Sequence, residues 1–199
     1  MKKINYILSA IIGFLDGILF FFIFKQAEIS LPYGLPDWIL VVILPILGPV
    51  GLFFAHLLSK KIFVIWQAAK FFLVGTLNTL IDLGILNILS LIFGITAGIF
   101  YSVFKAVSFL VATTNSYFWN KFWTFEKRES VSSEEMFKFF TVTAIGLLIN
   151  VGVASLVVNV IGPQFGLGEK IWLSVGGVVA AFFAFIWNFL ASKFIVFKG

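Results

Sequence analysis

The sequence contains no cysteine and a single histidine, His56. Disulfides, thiolate metal sites and a cysteine nucleophile are thereby excluded, and one imidazole cannot build a metal cluster alone. Charge is also scarce. Only 12% of the 199 residues are Asp, Glu, Lys or Arg, against about 25% in an ordinary soluble domain. No nucleophile–base pair and no metal-ligand spacing occurs, and the Gly-x-Gly-like patterns follow no strand, so they are not phosphate loops. The chain therefore reads as neither an enzyme in its own right nor a holder of a metal or cofactor.

What is abundant is apolar sequence, 61% of residues. It falls in runs of roughly 20 residues, the length a helix needs to cross about 30 Å of hydrocarbon. A soluble domain of this size would need far more polar surface. The fold class is all-α, a polytopic membrane helix bundle. Six spans are expected: 4–24, 38–59, 67–93, 98–122, 135–160 and 171–194. Pro45 and Pro49 should kink the second. The first follows Lys2 and Lys3 as a signal peptide would. Its apolar stretch is longer than a signal peptide's, contains Asp16 and leads to no small-x-small cleavage site, so it reads as a retained helix. The stretch 60–70 is basic and interfacial, and 94–98 is a tight turn. Residues 126–135, "EKRESVSSEE", are the most hydrophilic, with Ser132 and Glu135 placed as a capping box for the fifth helix.

If all six segments cross, Lys2, Lys3, Lys60, Lys61, Lys70, Lys121, Lys127, Arg128, Lys138, Lys193 and Lys198 share one side. Lys25 and Lys170 fall on the other, and Lys105 lies within a span. The positive-inside rule then places both termini in the cytoplasm, with the protein in the cytoplasmic membrane. This distribution accounts for the net charge of +5 without a nucleic-acid partner.

Two stretches repeat. "KFFLVGTLNTLID" (70–82) aligns with "KFFTVTAIGLLIN" (138–150), setting Asp82 opposite Asn150. Each leads through a glycine-containing turn into a second span that closes on the same signature: Ser116–Phe125 matches Asn188–Phe197, and Lys121 pairs with Lys193. Two helical hairpins, 67–125 and 135–197, thus form a four-helix core within 61–199, preceded by an N-terminal two-helix hairpin over 1–60. A two-span unit returns to its starting side, so the copies share orientation about an axis along the membrane normal. The signature would end each hairpin at the cytoplasmic interface, aromatics at headgroup level and lysine snorkelling to water.

"FFLVGTLNTLIDLGILNIL" with "NSYFWNKFWTF", followed by "NFLASKFIVF", resembles the GtrA-like membrane family, also called the GtrA/dolichol-phosphate mannose synthase transmembrane domain. The resemblance covers about 67–199. The chain departs from it in the extra N-terminal hairpin and in Ser192, where an asparagine would match Asn120. The resemblance implies a role in cell-surface polysaccharide or glycolipid synthesis. Some family members are proposed to flip a polyprenyl-phosphate sugar, and others form the membrane part of polyprenyl-phosphate glycosyltransferases.

Asp82 lies near the midplane, where a carboxylate costs roughly 2.5–3.5 kcal/mol on insertion scales. Lys105 lies about 10 Å below the external turn and can reach toward Asp82. Two readings stand: a polar cavity in which Lys105 meets a phosphate that Asp82 holds or releases, or a structural ion pair. Asn78 shares a helix face with Asp82, and Asn150 takes its place in the second copy; with Asn87, Asn115 and Asn159 these amides serve either a substrate path or interhelical hydrogen bonds. Lys121 and Lys193, with Lys127, Arg128, Lys138 and Lys198, form a cytoplasmic basic rim that either contacts the phosphate headgroup, through Lys121, Lys193, Asn120 and Asn188, or fixes topology on anionic lipid. Asp16 either contacts the core or faces a partner subunit. Gly75, Gly84, Gly146, Gly152, Gly176 and Gly177 allow close helix contacts.

The leading function is translocation of a polyprenyl-phosphate-linked sugar, with membrane lipids, a membrane-associated glycosyltransferase and a second copy in a homodimer as partners. The alternative is a non-transporting anchor and assembly module for such a transferase. A proton-coupled small-cation exporter would want an unpaired midplane carboxylate, which Lys105 argues against at Asp82.

Overall fold

Six long helices follow one another in a computed structural model that describes residues 3–26, 29–166 and 168–198, the side chains of 169–171 excepted. Lys2 and the side chain of Lys170, both used in the charge count, lie outside the described residues. The helices are α1 (Lys3–Gln26), α2 (Ile39–Ser59), α3 (Val64–Phe93), α4 (Gly98–Trp119), α5 (Ser133–Ser155) and α6 (Glu169–Ala191). Among the described residues, five segments are long and apolar enough to cross a membrane; α4, which carries Lys105, falls short on apolarity. The chain is an all-helical, multi-pass membrane protein.

The helix boundaries have local causes. Ser132 caps α5, its Oγ accepting the Glu135 N–H at 3.0 Å, one arm of the expected capping box. Gly94 ends α3 in the left-handed region (φ 66°), its N–H bonded to Ser90 O, as a C-terminal glycine commonly does. The stretch 64–70, expected as an interfacial connection, is instead the first two turns of α3. Pro45 and Pro49 sit within α2, which stays one continuous helix.

The last three helices end alike. Wider i→i+5 turns span Asn120–Thr124 after α4, Leu156–Ile161 after α5 and Ser192–Val196 after α6. Such π-turns are rare and frequently mark functional sites. Two of them are the signature stretches of the repeat: the Phe125 N–H bonds Asn120 O at 2.8 Å and the Phe197 N–H bonds Ser192 O at 2.8 Å.

The chain divides into two compact units, Met1–Arg128 and Glu129–Gly199. In the first, α1 and α2 pair, both pack on α3, and α3 pairs with α4. The core joins Ile12, Leu52, Trp66, Val74, Leu77 and Trp123. The α1–α2 seam brings backbone against backbone. A Cβ on Gly13 would collide with the Leu44 carbonyl; one on Gly17 would lie 2.6 Å from Val41 Cα, and one on Gly48 2.6 Å from Ser9 O. Small residues at this spacing let helices approach closely in a membrane. Of the glycines expected at close contacts, Gly75, Gly152 and Gly177 face open space; Gly84, Gly146 and Gly176 meet side chains of Leu19, Asn188 and Val158.

In the second unit α5 pairs with α6, and the terminal π-turn folds back on α5. Trp187 Nε1 donates to Val142 O at 3.0 Å and Trp172 Nε1 to Val157 O at 2.9 Å, so each indole N–H stays satisfied away from water.

Candidate functional site: a charged centre between α3 and α4

Asp82 on α3 and Lys105 on α4 face each other. Lys105 Nζ is ion-paired with Asp82 Oδ2, and Ser108 Oγ donates to Asp82 Oδ1 at 2.6 Å. Ser108 also lies 3.0 Å from Lys105 O, but one hydroxyl hydrogen serves one acceptor, and the carboxylate binds it more strongly. Ser108 itself is fully buried. The carboxylate thus receives a donor on each oxygen, which offsets the cost of holding it in a low-dielectric layer.

The lysine is less enclosed than its partner. Its side chain is 45% exposed, against 19% for Asp82. An ammonium has three donors, and Asp82 takes one of them. The remaining face can meet an anion arriving beside the hairpin.

Asn78 lies one turn before Asp82 on α3 and is half-buried. Its Oδ1 is enclosed without a hydrogen-bond partner, as is Asn115 Nδ2 on α4. Asn150, the counterpart of Asp82, is half-buried on α5 and belongs to the second unit. Asn188 covers Gly146, where a Cβ would collide with its amide, and its Oδ1 also lacks a partner.

The end of the first hairpin differs from what the sequence suggests. Lys121 does not snorkel outward: it is fully buried, its ammonium 5.9 Å from the centre of the Tyr117 ring. Asn120 is also buried, with Nδ2 bonded to Ser116 O at 2.9 Å. Lys193, by contrast, is half-buried and lies 5.5 Å from the Phe194 ring centre. Lys121 and Asn120 therefore do not belong to an exposed rim. Lys121 and Asn120 are enclosed because the helix preceding them widens into a π-turn that packs against α3.

In the sequence Lys70 reads as a topology charge and the start of a repeat, yet it organises this end. It is fully buried, donating to Trp123 O at 3.0 Å and to Glu126 Oε1 at 2.8 Å. The Trp66 and Trp123 rings lie 5.0 and 5.6 Å from its ammonium, within cation–π range. Glu126 reaches it from a left-handed backbone position (φ 54°) just past the π-turn, a strained conformation for this residue type. On the other side, Trp123 Nε1 donates to Asn5 Oδ1 on α1 at 3.0 Å. A signal was present: Trp66 precedes Lys70 by one turn, and an acidic residue directly follows the signature. Among the described residues no group of three or more His, Asp or Glu could hold a metal.

A family profile described as GtrA/DPMS, transmembrane domain, matches residues 70–197. The match begins at Lys70 and takes in α3–α6 with both signature turns, leaving α1 and α2 outside. Comparison with curated proteins finds no match, and comparison with solved structures finds none.

Proposed function

The chain belongs to the GtrA/DPMS transmembrane-domain family, a family of membrane proteins of glycolipid and polysaccharide synthesis, and from that premise we propose that it helps a polyprenyl-phosphate-linked sugar across the cytoplasmic membrane. The observation that carries this reading is the half-exposed Lys105 ammonium, held by Asp82 in the flank of a membrane hairpin. The lipid tail need never leave the bilayer. Only the phosphate and sugar require a polar route, and a cation on the protein flank lowers the barrier where the phosphate passes. Asp82 positions the lysine in the absence of substrate and competes with the phosphate for it, so the headgroup is released as well as bound. Asn78, one turn from Asp82, supplies a neutral amide suited to a sugar hydroxyl. No bond is made or broken in this mechanism. Both termini lie in the cytoplasm in this reading, a separate glycosyltransferase supplies or consumes the lipid-linked sugar, and the chain works as a homodimer.

A second reading rests on the same centre. Asp82 is satisfied by Lys105 and Ser108 without any ligand, which suits a structural clamp in a membrane anchor for the transferase.

Scrambling of a fluorescent short-chain polyprenyl-phosphate sugar in proteoliposomes separates the two. The purified chain should accelerate transfer over empty vesicles, and Lys105→Ala should lower the rate at least tenfold while Lys105→Arg retains part of it. No acceleration by the wild type, or equal rates for Lys105→Ala, would leave the anchor reading in place.

A further inference from the structure

The first unit contains a buried carboxylate that the lipid-phosphate path does not use. Asp16 sits near the middle of α1 and is 6% exposed. It lines a cavity of about 630 Å³ between α1, α2 and α3, within the size range of small-molecule pockets. Among the described residues that line this cavity, Asp16 is the only titratable one; Thr76 and Thr79 are the other polar side chains, and the rest are apolar or glycine.

The carboxylate is poorly satisfied. Thr76 Oγ1 lies 2.9 Å from Asp16 Oδ2 but also 2.8 Å from Leu73 O, and its single hydrogen can serve only one of them. Thr79 Oγ1 is engaged with Gly75 O at 3.0 Å. Asp16 Oδ1 is enclosed with no hydrogen-bond partner. Asp82 meets a lysine and a serine at its two oxygens; Asp16 meets at most one hydroxyl. A buried carboxylate so placed calls for a donor from outside the protein.

The route to it is lateral. Leu47 on α2 and Phe72 and Leu83 on α3 line the cavity and are exposed on the outer face of the helices. In a bilayer that face meets acyl chains, so an occupant arrives from the membrane with its apolar body along these residues. A phosphate is excluded, because it would approach an unneutralised carboxylate. We propose that this cavity binds a membrane-borne amphiphile bearing one primary ammonium head, which donates to Asp16 while its chain lies against the apolar wall. The N-terminal hairpin thereby gives the protein a cation-selective site distinct from the anion contact at Lys105.

The test uses the full chain in zwitterionic nanodiscs and radiolabelled decylammonium as the probe. Saturable binding is expected, with 1-decanol competing at least tenfold less well and decyl phosphate not competing. Asp16→Asn should weaken binding at least tenfold. Gly51→Leu gives an independent check: Gly51 lines the cavity and has open space where a Cβ would sit, so leucine narrows the cavity and leaves Asp16 intact. It too should weaken binding at least tenfold. Absence of saturable binding, equal competition by decanol, or wild-type affinity in either folded variant would overturn the proposal.

Discussion

The two hairpins, α3–α4 and α5–α6, are copies that agree in backbone and disagree in charge. Both close with a π-turn that is followed directly by a phenylalanine. In both that ring packs on the phenylalanine following the conserved-position lysine of the repeat: Phe71 with Phe125 at 6.2 Å, Phe139 with Phe197 at 5.8 Å. Matching positions are buried alike, Ala112 with Ala184 and Ser108 with Ala180. Yet the whole charged centre of the first copy is missing from the second, where Asp82, Lys105 and Ser108 become Asn150, Gly177 and Ala180. Lys70 is fully buried, whereas its counterpart Lys138 is 47% exposed and pairs with Glu134 on its own helix. The shared features are geometric and hold the hairpin shut. The differing ones are electrostatic, and they concentrate in the copy that α1 and α2 cover.

The largest expected effect comes from moving the charge. Asn150→Asp would put an unpaired carboxylate in the second copy at about 2.5–3.5 kcal/mol, read as reduced insertion in a glycosylation-mapping assay. Adding Gly177→Lys, where open space is available, should recover most of it if the copies are geometrically equivalent. No recovery would break the equivalence.

A smaller effect tests the amides. The first copy carries Asn78 and Ser116 where the second has Gly146 and Asn188, so the amide has changed helix between copies. Gly146→Ala should cost about 1–3 kcal/mol by overpacking, because its methyl would meet the Asn188 amide. The double change Gly146→Ala, Asn188→Ser should restore stability, measured by thermal unfolding in detergent. A double variant no better than the single one would show that the contact does not govern the packing.

The smallest expected effect lies at the lysines. Glu126→Gln removes the counter-charge of buried Lys70. It should destabilise by about 1–2 kcal/mol, discounted because the Glu126 side chain is 59% exposed. Glu134→Gln, at the exposed intrahelical pair of the second copy, should not shift the same melting curve measurably. Equal shifts would mean that burial of Lys70 contributes nothing to the difference.

Much of this was readable from residue order because it depends on period and spacing. Apolar runs gave the helices, the aligned Lys-Phe-Phe starts gave the hairpins, and Ser132 with Glu135 gave the start of α5. The pairing of Asp82 with Lys105 was legible as a possibility, since adjacent helices and a long side chain allow it. Ser108, which completes the centre, was missed because a serine one turn from a lysine has no distinguishing pattern. The π-turns were invisible: the shift from i→i+4 to i→i+5 bonding is set by packing of the helix end, not by residue type. Burial of Lys121 follows from that shift, so it was invisible too. The seam of Ser9, Gly13 and Gly17 is legible as small residues four apart.

The π-turns also make the hairpin ends sensitive to chain length. Each holds one residue more than an α-helical path would, and each residue of an α-helix turns the chain by about 100°. Deleting a single residue from 120–124 or 192–196 would let the helix relax to regular winding and swing Phe125 or Phe197 off its partner ring. These short stretches should thus tolerate no change in their number of residues.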